Sequence, residues 1–176
     1  IGLHIGEING GSLRNAIPRE SVAVVAVSAG DEGKWMSGFD QLKKDITFEF
    51  KTTEPGLQIV AEECPAPSKV LSAADGKKLL RMIYAAHNGV YRMSADIKDL
   101  VETSNNVAKV TVGNGNIQVA CLTRSSVESS KMDLADALKS VFELGGCQVS
   151  FGGSYPGWTP NVDSPILKVL VNIYER

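Results

Sequence analysis

The sequence predicts an α+β fold: a mostly antiparallel sheet with helices packed on one face, a two-layer sandwich. Three observations carry this expectation. Strand-like runs interleave with helical stretches along the chain, and each helical stretch shows one apolar stripe rather than an apolar circumference. The clearest pair of strands is joined by a tight turn, which makes that pair antiparallel.

Leu3 to Ile8 alternate apolar and polar residues, as a half-covered strand does. The run from Asn9 to Glu20 is a loop, since Gly10, Gly11 and Pro18 continue a ladder only at a cost. Ser21 to Val27 is β-branched without polar interruption, which predicts a strand covered on both faces. Asp31 is placed to cap a helix whose stripe is Trp35, Phe39, Leu42 and Ile46, at spacings of four, three and four. Leu57 to Glu62 reads as a further strand. Ser72, with Asp75 three positions on, opens a second helix that is expected to bury Leu79, Leu80, Ile83 and Tyr84 before Asn88-Gly89 stops it.

Val107–Val112 and Ile117–Arg124 flank Gly113-Asn114-Gly115-Asn116, and Asn-Gly suits a two-residue type I′ turn. Counting outward from Asn114-Gly115 pairs Val112 with Ile117, Val110 with Val119 and Ala108 with Cys121 on an apolar side. Thr111 with Gln118, Lys109 with Ala120, Val107 with Leu122 and Asn105 with Arg124 then share the other, largely polar side. A bulge anywhere along the pair shifts the far end of this register. Ser130 with Asp133 starts a third helix over Leu134, Leu138, Val141 and Phe142, ended by Gly145, and Cys147–Phe151 is expected as a last strand. The run GGSYPGWTP from Gly152 to Pro160 changes character and reads as a domain exit. Ser164-Pro165 opens a final helix in the favoured order of cap, then proline.

At 176 residues, 43% hydrophobic and 22% charged, the chain is long enough for one good core and too short for two large domains. A net charge of -2 without a block of either sign predicts neither a nucleic-acid nor a membrane partner. No apolar run approaches the roughly 18 residues a membrane span needs. Cys64, Cys121 and Cys147 are an odd number without a C-x-x-C, which argues against a disulfide framework and a zinc knuckle and fits a reducing cytoplasm. The chain opens at Ile1 within a strand pattern and stops at Arg176 within a helical one, so a piece of a longer protein is expected.

Residues for chemistry are few. His4 and His87 lack a spaced partner that makes a metal site, and surface or edge histidines are the plainer account. Glu62 and Glu63 are neighbours, which in a strand point to opposite faces, so solvated charges fit better than a catalytic pair. Two places stand out. The Gly10–Glu20 loop offers Arg14 and Asn15, though a tight connection with solvated side chains explains it equally. Arg124 lies at a strand end on the polar side, where an arginine is usually a solvated charge. Its planar fork of donors also matches a carboxylate, and an Asn amide adds a neutral donor to the same anion.

At these same places the chain resembles a known family. GGSLRNAIPRE (Gly10–Glu20), NGVYRMS (Asn88–Ser94), VETSNNV (Val101–Val107), CLTRS (Cys121–Ser125) and SYPGWTPNVDSP (Ser154–Pro165) resemble aminoacyl-histidine dipeptidases, carnosinase-like enzymes of the dinuclear-zinc exopeptidase group. The resemblance implies a cytoplasmic hydrolase in which an inserted α+β lid domain interrupts a zinc-bearing catalytic domain. Residues 1–153 fall in the lid, and 154–176 begin the return into the catalytic domain. Two zinc ions, their ligands and a general-base Glu are implied to lie outside this stretch, as is a lid histidine in a G-G-H-S-G run before Ile1. The isolated stretch is therefore expected to be inactive. Asn15 (in LRNAIP) and Arg124 (in CLTRS) are the residues that the resemblance assigns to the substrate's terminal carboxylate, with a dipeptide and the catalytic domain of the same chain as partners. Two other classes stay open: a non-catalytic amino-acid-binding module using Asn15 and Arg124, and a dimerisation module that pairs two copies.

Overall fold

Five strands and four helices build the computed structural model, which describes residues 2–175. In chain order they are β1 (Leu3–Gly10), β2 (Ser21–Val27), α1 (Glu32–Glu49), α2 (Ala73–Ala85), β3 (Gly89–Met93), β4 (Val101–Gly113), β5 (Asn116–Ser125), α3 (Glu128–Leu144) and α4 (Pro165–Tyr174). The strands form one antiparallel sheet of order β2-β1-β4-β3, with β5 also paired to β4. The α+β class read from the sequence is the observed one. Two compact units divide the chain: the part up to Arg81 with Ala108–Ala120, and Met82–Val107 with the part from Cys121 onward.

In the first unit β1 pairs with β2 from Leu3↔Val27 to Gly10↔Ser21, and an irregularity between Ile5 and Glu7 leaves Gly6 as an extra residue. Ile5, Leu79, Ala108 and Val112 are buried, Leu79 and Ala108 completely. Gly76 of α2 sits beside Ile5, which lays the start of that helix on the Ile5 side of β1. Ser72 begins α2 as expected: its hydroxyl donates to Asp75 Oδ2 at 2.7 Å, and the Asp75 N–H donates back to it at 3.1 Å.

In the second unit Leu134, Leu138 and Phe142 of α3 are buried, as are Met82 and Ala86. The polar side chains Thr103 and Asn105 are buried with them. Asn105 Nδ2 donates to the His87 carbonyl at 2.8 Å and Thr103 Oγ1 lies 2.8 Å from Ser130 Oγ, so each has a partner.

Several expectations are corrected. Leu57–Glu62 and Cys147–Phe151 form no ladder; β-branched residues alone do not make a strand without a neighbouring edge, and Val60 stays 69% exposed. Strand β2 is an edge strand paired to β1 rather than a strand covered on both faces, and Val22 faces solvent. Asp31 stands before α1 but does not cap it, because Oδ2 instead accepts from Gly2 N and Ser28 Oγ. Along α2 the covered line is Gly76, Leu79, Met82 and Ala86, while Leu80 and Tyr84 are exposed. Helix α3 starts at Glu128, ahead of Ser130, whose hydroxyl is spent on Thr103.

Candidate functional site

Asn15 lies on the loop between β1 and β2. The loop is closed at its base by Gly11 N–H donating to the Glu20 carbonyl at 3.0 Å and turned in its middle by Ala16 N–H donating to the Leu13 carbonyl at 3.1 Å. Gly11 has φ +71° and runs against the Ala108 carbonyl, where a Cβ would collide. The loop is thus held at both its base and its crest. Asn15 is exposed on it, between the exposed side chains of Leu13 and Ile17.

Arg124 is the ninth residue of β5, and its orientation follows from its neighbours. Thr123 Oγ1 donates to Asn105 Oδ1 at 3.0 Å, and Ser125 Oγ lies 2.8 Å from Thr103 Oγ1. Both contacts reach buried residues of β4, so Thr123 and Ser125 point to the packed side and Arg124 between them points to the other. Arg124 is accordingly exposed. The turn that follows is tied down as well: Ser126 N–H donates to the Glu102 carbonyl at 3.1 Å, and Val127 N–H to Ser125 Oγ at 3.0 Å. The Glu102 carboxylate is engaged by Arg92 Nη1 at 3.7 Å.

The remaining titratable groups do other things. His4 Nδ1 lies 3.5 Å from the Leu71 carbonyl. His87 sets its ring edge-on to Tyr91, with centroids 5.3 Å apart, and its Nε2 is buried without a hydrogen-bond partner among the described residues. Tyr91 Oη donates to Asp133 Oδ2 at 3.0 Å, and that carboxylate raises the phenol above its ordinary value. Burial pushes the Cys121 thiol up, against a smaller opposite effect of Asn105. Among the described residues no three or more of His, Cys, Asp and Glu gather as a metal site, so the residues present do not fit a zinc centre.

What the chain offers is an exposed guanidinium on a firmly backed strand end and, on its own loop, a presented amide. Both are donors for an anion and neither is a nucleophile or base. No protein-family profile matches the chain. It is 34% identical over 174 residues to the cytosol non-specific dipeptidase of Escherichia coli strain K12, covering 99% of this chain and 36% of that protein. It superposes on the crystal structure of aminoacylhistidine dipeptidase from Vibrio alginolyticus with a TM-score of 0.91 and 37% identity, covering 98% of this chain and 35% of that one. The chain is homologous to one segment of the aminoacyl-histidine dipeptidases. It spans about a third of the length of these relatives.

Local sequence patterns do not show how the strand end that carries Arg124 is backed. Asn105, expected on the polar side with Arg124, is instead buried; it is a polar residue inside a strand, satisfied by the Thr123 hydroxyl and the His87 carbonyl.

Proposed function

We propose that the chain is the substrate-clamping lid of a zinc-dependent dipeptidase acting on Xaa-His-type dipeptides. In this reading residues 1–153 form the lid and 154–176 begin the return to a catalytic domain in the rest of the protein. The observation that carries the proposal is that two dipeptidases match this chain end to end while it accounts for only 36% and 35% of their lengths. The exposed Arg124 and Asn15 fit the role, being anion donors on tied backbones rather than on free tails.

The chemistry divides accordingly. Arg124 receives the terminal carboxylate of the dipeptide as a bidentate, charge-assisted pair, and Asn15 adds a neutral N–H. Such a pair is stronger once closure excludes water, so a lid that carries it senses the length of a short peptide and completes the site as it closes. The two zinc ions, their ligands and the general base belong, in this reading, to the part of the protein outside this chain. The cytosolic character named for the Escherichia coli relative extends to this protein under the same proposal, with no helix among the described residues long and apolar enough to cross a membrane.

The test is made in the full-length protein. Arg124→Ala should lower kcat/KM for a dipeptide by about a hundredfold, with zinc content unchanged. Near-normal turnover removes Arg124 from the clamp. The isolated chain should not hydrolyse dipeptides with added zinc, and robust hydrolysis would overturn the division of labour. Sedimentation of the full-length protein decides whether two copies pair, as the open side of β5, whose ladder partner is β4, permits.

A further inference from the structure

We infer that Lys131 and Gly157 are positioning residues for Arg124: together they fasten the segment after α3 to the end of β5, so that the arginine and that segment move as one body. The inference rests on the reading of Arg124 as the carboxylate clamp.

Lys131 is the anomaly that leads to it. It is 9% exposed, in the first turns of α3, where the helix dipole disfavours a cation and burial adds a desolvation cost. An ammonium has three protons to place, and here Nζ has three acceptors: Glu128 Oε2 at 2.7 Å, the Tyr155 carbonyl at 2.9 Å and Ser154 Oγ at 3.2 Å. Two of the three come from the segment after α3, so Lys131 satisfies its burial by holding that segment in place.

Gly157 supplies the second fixed point. A Cβ there would collide with the carbonyl oxygen of Ser125 and stand 3.2 Å from the Ser126 carbonyl carbon. The segment therefore crosses the backbone immediately after Arg124 at a distance only glycine allows. The same stretch of backbone is also tied through Ser125 Oγ to Thr103, and Thr103 to Ser130 of α3. The end of β5 is thus held by this row of hydroxyls and also by residues 154–157, pinned to Lys131. A guanidinium that must meet a carboxylate bidentately tolerates little displacement, and a misplacement of about 1 Å is worth about a hundredfold in rate. Residues 154–157 are also the stretch that joins the proposed lid to the rest of the protein. A pin at Lys131 places the flexible point of domain closure after Gly157 rather than before Ser154.

The test compares, in the full-length protein, kcat/KM for a dipeptide with that for the same dipeptide carrying a C-terminal amide. The ratio reads carboxylate recognition and is insensitive to a uniform loss of folded enzyme. Lys131→Met and Gly157→Ala should each lower the ratio by about tenfold or more, and Lys131→Arg should restore part of it. If Arg124→Ala collapses the ratio while Lys131→Met and Gly157→Ala keep it, the inference is overturned and the clamp stands. If Arg124→Ala itself leaves the ratio unchanged, the clamp falls and the inference with it. Should Lys131→Met yield no soluble protein, Ser154→Ala removes one acceptor of the same ammonium, and an unaltered ratio in that variant overturns the inference.

Discussion

Thr123 Oγ1 donates to Asn105 Oδ1 at 3.0 Å, which sets both side chains on the packed side of their strands and turns the next residue along β5, Arg124, outward. The buried positions of β4 explain how this comes about. Thr103 and Asn105 are buried in the second unit, where the hydroxyls of Ser125 and Thr123 reach them. One extra residue in either β4 or β5 between this pair and the turn re-aims side chains in this way. Without it Asn105 would lie on the same side as Arg124, as regular counting from the turn requires.

Asn105 should accordingly be costly to remove. Its amide serves the His87 carbonyl and the Thr123 hydroxyl at once, and Asn105→Ala leaves both without that partner in a buried place. A loss of about 2 kcal/mol in urea unfolding is expected, with Thr123→Val costing about 1 kcal/mol. The double variant should cost less than the sum, because the two residues share one bond. Additive losses would show that the pair does not act as a unit.

The turn between β4 and β5 gives a cleaner backbone test. Asn114 has φ +52° and Gly115 φ +79°, the type I′ geometry that Asn-Gly predicts. A Cβ on Gly115 would meet nothing within 4 Å, so Gly115→Ala probes conformation alone. It should destabilise by about 1 kcal/mol in thermal or urea unfolding. An unchanged midpoint would mean the hairpin tolerates another turn.

How much the sequence told depended on whether the deciding partner was local. The Asn114-Gly115 turn and the Ser72–Asp75 cap are set within four residues of chain, and both are as the sequence predicts. The stripe of α3 also held, with Leu134, Leu138 and Phe142 buried. What failed was decided at a distance. Ser130 reads as a cap but bonds Thr103 across the fold, and Leu57–Glu62 has strand composition without an edge to join. At the site, Arg124 and Asn15 were named from motif resemblance. The exposed, backed setting of Arg124 rests on the hydroxyl contacts of Thr123 and Ser125 with β4, which counting from the turn does not give.

The cysteines should differ in reactivity. Cys64 is exposed, whereas Cys121 is partly covered on β5 and burial lifts its thiol above the ordinary value. The thiolate is the nucleophile, so a raised value lowers its share at neutral pH. Iodoacetamide at pH 7 should label Cys64 first, and Cys121 labelling should accelerate only at a pH above that of an ordinary thiol. Mass mapping of the alkylated peptides checks the order, and equal rates at pH 7 would contradict the packed position of Cys121.

Asp31 should leave a mark on the acid limb of stability. Its carboxylate accepts from Gly2 N–H at 3.3 Å and from Ser28 Oγ at 3.1 Å, and these bonds, the backbone one foremost, hold it below the usual carboxylate value of 3.8. A carboxyl whose folded value is depressed binds its proton more readily in the unfolded chain. Its contribution to stability is therefore complete above the unfolded value and disappears as pH falls through the folded one. Asp31→Asn keeps an acceptor oxygen for Gly2 and Ser28 but cannot titrate. The variant should lose less stability than the parent chain between pH 5 and pH 3 in denaturant unfolding, both pH values bracketing the ordinary carboxylate range. Parallel acid limbs would show that the bonds to Gly2 and Ser28 do not distinguish the charged from the neutral carboxyl.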